Sequence, residues 1–394
     1  MRYKGLYFVM AFLQGICLPL ISASSFIFHS EPYQLSHSQY GLVFLFMVFA
    51  SLSIALCFRA ISRFCGRPLC FLMGWAGHLV FLALLAWSSR FENNSDALFY
   101  LLLIANIFFG GGFSLLLTVI SAELVDRFPL KREVNLTLLH GILGLGAALS
   151  PTLVAYFFNI KLWPSVFLFW CGVMFVVGIA TIVTKTLPCL VEEPVSNGLP
   201  KVRVNILAYG FGLALIVYGT AEAMAANWTI LFITQAKQLD FGFASLCLTL
   251  FWASVTAGRL CLPLLIKIIP VKILYLNSPW IMAVGLFGLC NSSNTLSIAA
   301  SIAITGLGCS YFYPLSVSFA TQYFDQHREF MISLTLAGLM IGVGIGSSGI
   351  GWLRDANYLD LDKVFYVAAW SAAALGLIAF TLIHCITKVK GKMA

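Results

Sequence analysis

The sequence predicts an all-α membrane protein, with twelve transmembrane helices in two six-helix repeats. Three observations predict it. The chain of 394 residues is 60% hydrophobic and 10% charged, with a mean hydropathy of +0.95, whereas a soluble domain is about a quarter charged. Its apolar residues fall into twelve runs of the length needed to cross hydrocarbon, about 20 residues each. Most of its Lys and Arg residues lie between those runs and favour alternate loops, as membrane orientation requires.

The runs of the first half are Tyr3–Phe28, Ser38–Phe58, Leu69–Trp87, Ala97–Ser121, Asn135–Phe158 and Trp163–Thr184. Those of the second are Val204–Thr234, Phe241–Ile269, Ile273–Cys290, Thr295–Tyr323, Phe330–Leu353 and Val364–Thr387. A backbone in hydrocarbon must satisfy its own polar groups, so each run is expected to be a helix. The 34 Phe and 32 Gly suit such helices, Phe on lipid-facing and packed surfaces and Gly where two backbones approach closely.

With the N-terminus inside, the inner segments carry 18 of the 23 Lys and Arg, and the outer segments carry 5. This asymmetry fixes both termini on the cytoplasmic side. The net charge of +8 is spread over short loops, so it does not form a nucleic-acid surface. The longest polar stretch, Lys185–Arg203, contains Pro188, Glu192, Glu193, Pro194, Gly198 and Pro200. It reads as a cytoplasmic linker. The expected division is residues 1–185 for the first bundle, 186–203 for the linker and 204–394 for the second bundle. The basic start Met1–Lys4 leads into a run too long for a signal-peptide core, so that run is expected to be the first span. The 11 Cys, Cys17, Cys57, Cys171, Cys247, Cys290 and Cys309 among them, show no CxxC pair and no metal spacing. No disulfide framework or metal site is expected.

The halves echo each other. His140, Gly144, Gly146 and Ala148 in the fifth run are matched by Gly338, Gly342, Gly344 and Gly346 in the eleventh, at an offset of 198 residues. Parallel six-helix repeats are the architecture of one large transporter group. The loop between the second and third runs reads Arg59-Ala-Ile-Ser-Arg63-Phe-Cys-Gly66-Arg67-Pro68. It resembles the Gly-x-x-x-Asp-Arg-x-Gly-Arg-Arg loop of the major facilitator superfamily. Gly66 and Arg67 fit, Arg59 replaces the first Gly and Arg63 replaces the Asp.

A basic residue at that Asp position is similar to the fucose permease branch, whose members are sugar:proton symporters. Arg132-x-x-Asn135-Leu136-x-x-x-His140-x-x-x-Gly144 resembles a fifth-helix segment of that branch, with His where Gln is usual. Tyr218-Gly219-Thr-Ala-Glu222 with Asn227-Trp228 resembles its seventh helix. Gly258-Arg259 and Tyr313-Pro314 resemble its eighth and tenth. The branch's acidic residues of helices one and four are absent, and Gln14 and Asn106 are what those runs offer. The resemblance implies a major facilitator fold and monomeric function. It also implies alternating access by two halves that rock about a central site.

Glu222 is the outstanding chemical candidate. It lies mid-run, with no Lys or Arg within a helical turn. An ionisable group inside a span is expensive and points to function. A carboxyl that takes a proton on one side and releases it on the other would couple transport to a proton gradient. The alternative is a protonated or hydrogen-bonded Glu that fixes helix packing. His140 titrates in the range that proton handling needs, and its alternative is an interhelical hydrogen bond. His78 reads as packing. Gln14, Asn106, Tyr218, Asn227, Trp228, Trp252, Tyr311 and Tyr313 form the candidate substrate set, since a polar solute needs fixed donors and acceptors beside aromatic faces.

Arg63, Arg132, Arg259 and Arg328 are candidate gating residues. For Arg259 the alternative is snorkelling or a bond to helix-end carbonyls. Glu123, Asp126, Arg127, Lys131, Arg132 and Glu133 are expected to form one inner cluster, with Asp325, Arg328 and Glu329 as its counterpart.

No phosphate-binding loop and no catalytic cluster is present, so neither an ATP-driven pump nor an enzyme is expected. The expected function is proton-coupled uptake of a small, sugar-like polar solute, with the proton gradient as energy source and no cofactor. The first alternative is proton-driven efflux of an amphipathic compound or drug. A second is a non-transporting membrane receptor or scaffold. Partners are expected to be the solute and membrane lipid. The short loops predict a bacterial inner (plasma) membrane. Asn93-Asn94-Ser95 carries the glycosylation pattern in an outer loop.

Overall fold

The computed structural model describes residues 4–188 and 206–391. Residues 189–203 of the expected linker lie outside the described residues, as do Arg2, Lys201, Arg203 and Lys392. Ten helices among the described residues are long and apolar enough to cross a membrane. The chain divides into two compact units: Met1–Ser196 with Asp240–Thr249, and Asn197–Leu239 with Leu250–Ala394.

The first unit begins with α1 (Lys4–Cys17), α2 (Leu20–Ala23) and α3 (Ser25–His29). One expected run has become three pieces: Pro19 caps α2 and has no N–H for the helical ladder, and Ser24, at φ −94°, ψ 5°, divides α2 from α3. The next two runs behave oppositely. They meet without an intervening loop, as two helices joined at a kink within α4 (His37–Trp87), where Gly66 has φ 75°, ψ 154°. That conformation suits a residue without Cβ, and Pro68 follows directly. The anticipated loop Arg59–Pro68 is therefore mostly helical. Ser36 caps α4 in a reciprocal capping box with Gln39. Then come α5 (Ser95–Arg127), α6 (Arg132–Asn159) and α7 (Trp163–Val183). Asn94 of the glycosylation triplet accepts the Ala97 N–H at 3.0 Å and caps α5.

The second unit holds α8 (Ile206–Leu231), most of α9 (Phe241–Leu265), α10 (Val271–Asn291) and α11 (Thr295–Tyr323). It ends with α12 (Arg328–Gly344), α13 (Ile350–Asp355) and α14 (Leu361–Gly391). A π turn, Phe232–Ala236, follows α8, and a second, Ile345–Gly349, joins α12 to α13. The first turns of α9 belong to the first unit. There Phe241 stacks on Phe26 with ring centroids 4.9 Å apart, and the Thr249 and Thr152 hydroxyls meet at 2.7 Å.

Close glycine crossings recur in both units, but at Gly146 and Gly342, which lie 196 residues apart and so are not a pair in the echo read at 198. In the first, α1 crosses α6 so closely that a Cβ on Gly146 would collide with the Phe12 carbonyl. In the second, α8 crosses α12 the same way, and a Cβ on Gly342 would collide with the Ile216 carbonyl. Small residues allow this approach, on which dispersion between backbones depends when lipid competes for apolar contact.

Candidate functional site

Within the second unit, α8, α9 and α11 bring together the densest set of polar groups. Tyr218 and Glu222 are one helical turn apart, so both face α11. The Tyr218 hydroxyl oxygen is 2.9 Å from Glu222 Oε1 and 2.8 Å from the Cys309 carbonyl oxygen. Tyr218 is fully buried, with its ring stacked on Phe312 at 5.3 Å. Glu222 keeps partial exposure.

The two contacts on one hydroxyl admit two arrangements of its proton. A phenol has one proton, and a carbonyl oxygen accepts but does not donate. When Tyr218 donates to Cys309, its short contact with Glu222 needs a proton on the carboxyl. When Glu222 is ionised, Tyr218 donates to it and the Cys309 carbonyl loses that donor. The same heavy-atom geometry serves both states, so proton exchange at Glu222 requires only a turn of the hydroxyl.

Arg259 reaches this cluster from α9. Gly258 makes the approach possible, since a Cβ there would collide with Ser310 Oγ, beside Cys309. Arg259 acts electrostatically on Glu222, Tyr218, Cys309 and Tyr313. It makes no hydrogen bond or ion pair with a described residue, and its Nε is buried without a partner. No helix-end carbonyl holds it. Tyr313 is half-buried and its hydroxyl makes no hydrogen bond to a described residue. Tyr311 is almost buried, at 8% exposure. Pro314 cannot donate to the Ser310 carbonyl, which loosens α11 at this level.

The remaining second-unit candidates sit one to two turns along α8 or on α9. Asn227 Nδ2 donates to Ser347 Oγ at 2.9 Å, and the Trp228 indole donates to the Gly346 carbonyl at 3.1 Å. Both acceptors belong to the π turn, whose wider ladder presents groups a regular helix would bind internally. Trp228 is fully buried, so it packs helices and does not line a cavity. Trp252 is half-buried, with its indole nitrogen buried and without a partner.

The first-unit candidates are less collected. Gln14 is fully buried, and neither amide atom has a hydrogen-bond partner among the described residues. Asn106 is turned back on its own helix, donating to the Leu102 carbonyl at 3.2 Å. His140 is exposed on α6. His78 is buried against the Gly74 carbonyl and the edge of Phe109.

The charged cluster of this unit has an organiser that sequence reasoning did not single out. Arg67, only 7% exposed, pairs with Asp126 of α5 at 2.5 Å. Arg127 pairs with Glu123 one turn away. Arg63 and Arg132 are exposed, as is Arg328 in the other unit. The side chains of Glu133 and Glu329 lie outside the described residues. Among the described residues no group of His, Cys, Asp and Glu has the arrangement of a metal site.

A search of curated proteins gives no match. Among solved structures the chain is similar to the crystal structure of a mutant form of the nucleoside transporter NupG. The TM-score is 0.74 at 15% sequence identity, over 97% of this chain and 100% of that one. At that identity the likeness concerns the fold. The family model described as Major Facilitator Superfamily matches residues 5–206, half of the chain. With its bundle of apolar membrane-crossing helices, the protein is a multi-pass transporter that belongs to the major facilitator superfamily.

Proposed function

We propose that the protein carries a small polar solute into the cell by alternating access, in symport with a proton that Glu222 binds and releases. The observation that carries this reading is the Tyr218 hydroxyl between Glu222 Oε1 and the Cys309 carbonyl, a geometry competent in both protonation states. Tyr313, Tyr311, Trp252 and Asn227 supply the polar and aromatic groups of the solute site in the second unit. Gln14 and Asn106 supply those of the first. His140 is the second proton-handling group, and Arg63, Arg132, Arg259 and Arg328 bias the inward and outward states.

Twelve spans in two repeats also belong to this reading. The pieces α1 to α3 make one span, and Gly66 divides α4 into two. The paired glycine crossings of α1 with α6 and α8 with α12 support the repeat. The membrane is a bacterial inner membrane, with both termini cytoplasmic. The protein works as a monomer, without a cofactor.

Solute-induced charge movement in proteoliposomes tests the proposal, with wild type compared against Glu222→Gln over sugars, nucleosides, amino acids, organic acids and lipophilic drugs. The expected result is a transient for a polar solute that the variant loses or makes independent of pH. A response confined to lipophilic drugs would replace uptake with efflux.

A further inference from the structure

We infer that Arg259 is the binding point for an anionic group on the transported solute, a carboxylate first of all. The inference rests on the proton-coupled reading above and narrows its solute from polar to anionic. Three observations carry it. Arg259 is a half-buried cation with no hydrogen bond or ion pair to a described residue, and its Nε is sealed from solvent without a partner. A guanidinium carries five donors in a planar fork that fits a carboxylate. Leaving the sealed Nε donor idle is costly, so the site is suited to an acceptor that arrives from elsewhere.

Glu222 is close enough to feel the Arg259 charge, yet the two do not pair. Acid and base therefore stand beyond ion-pair distance, which is the gap an anion would bridge. The third observation is the Tyr313 hydroxyl, which is subject to both charges, makes no hydrogen bond to a described residue and is not sealed. An anion in this gap would receive donors from Arg259 and Tyr313.

The charges around Glu222 are few. Tyr218 contributes from its own helix, Arg259 from α9, and Cys309 and Tyr313 from α11. On α12 and α14, which also pack on α8, the ionisable side chains among the described residues stand towards the helix ends: Arg328 on one, Asp362, Lys363, Tyr366, His384 and Cys385 on the other. None of these described side chains acts on Glu222. An incoming carboxylate and an ionised Glu222 therefore compete for one positive charge. A protonated Glu222 removes the competitor. By linkage, proton and anion each strengthen the binding of the other. The coupling follows from the spacing of three side chains.

The test uses purified full-length protein and matched pairs of acid and neutral amide: lactate with lactamide, benzoate with benzamide, nicotinate with nicotinamide. Binding is read by tryptophan fluorescence at pH 5.5 and 7.5, where the acids stay largely ionised. An acid is expected to bind at least about tenfold more tightly than its amide, the scale of one charge-assisted hydrogen bond. Arg259→Gln should erase that difference. Arg259→Lys, which keeps the charge without the fork, should retain part of it and guards against a folding defect. Affinity for the acid should rise as pH falls in wild type and stay flat in Glu222→Gln. Equal binding of acid and amide, acid binding indifferent to Arg259→Gln, or no acid bound at either pH would overturn the inference. Proton-coupled flux of a neutral solute that ignores Arg259 would sink the anion site and leave symport standing. Acid binding through Arg259 without proton-coupled flux would do the reverse.

Discussion

Tyr218 and Glu222 lie one turn apart on α8, with 2.9 Å between the phenolic oxygen and Oε1, while the same hydroxyl stands 2.8 Å from the Cys309 carbonyl. The carboxyl therefore has a built-in partner for either protonation state. Replacing Tyr218 by Phe keeps the ring stack on Phe312 and removes only the hydroxyl. Proton-coupled uptake is expected to fall about 10- to 100-fold, the scale of a hydrogen bond to a charged group. Parallel flux assays and thermal melting check this. A variant that melts as wild type and transports at full rate would show the hydroxyl to be idle.

The close crossing of α8 and α12 makes a stability prediction. A Val at Gly342 collides with the backbone of α8, which cannot move aside as a flexible side chain would. Overpacking of this kind costs about 1–3 kcal/mol, so Gly342→Val should melt at a lower temperature in detergent. Gly172→Ala is the control, because nothing lies within 4 Å of the added Cβ. It should leave the melting temperature unchanged.

The Arg67–Asp126 pair makes another. Arg67 is buried and Asp126 about half exposed, so the pair is neither fully screened nor fully desolvated. Asp126→Asn leaves a buried guanidinium short of its counter-charge, at a cost of about 1–3 kcal/mol. A lowered melting temperature is expected. Melting of the variant at the wild-type temperature would remove Arg67 from its place as the organiser of this end.

Asn227 and Ser347 link α8 to the π turn at 2.9 Å. Ser347→Ala keeps the small volume that the turn requires and deletes the acceptor. A net loss of about 0.5–1.5 kcal/mol is expected for one neutral hydrogen bond. A wider change, with lost flux at unchanged stability, would give this contact a role in the transport cycle.

Much of the membrane architecture is legible in the sequence because hydropathy fixes it. The run Thr295–Tyr323 coincides with α11 end to end, since polar loops bound it on both sides. The first run and the second-third pair are less legible. Pro19 and Ser24 break one span into three, and in α4 two helices meet at Gly66 within a basic segment that composition marks as loop. Both outcomes depend on local backbone hydrogen bonding, which hydropathy does not report.

The site shows the same division. Glu222 stands out in sequence because a carboxylate in a span is costly. Its partner, the Cys309 carbonyl, is invisible there, since a backbone acceptor has no sequence signature. Arg259 lies six residues from the inner end of α9 and resembles an end-anchoring cation. Only the three-dimensional approach over Gly258 brings its charge to Glu222. Trp228 has the marks of a binding aromatic, and its burial against the Gly346 carbonyl follows from helix rotation that the spacing does not fix.

The most direct test of the central claim compares two modes of transport in Glu222→Gln, once a solute is found. Counterflow exchanges labelled for unlabelled solute and needs no net proton movement. Uphill accumulation driven by an inward proton gradient needs the carboxyl to load and unload a proton in every cycle. The account predicts that the variant keeps exchange within a few-fold of wild type and loses gradient-driven accumulation. It also predicts that accumulation by wild type rises as the outer pH falls. Accumulation by Glu222→Gln at the wild-type level, with the wild-type pH dependence, would contradict it.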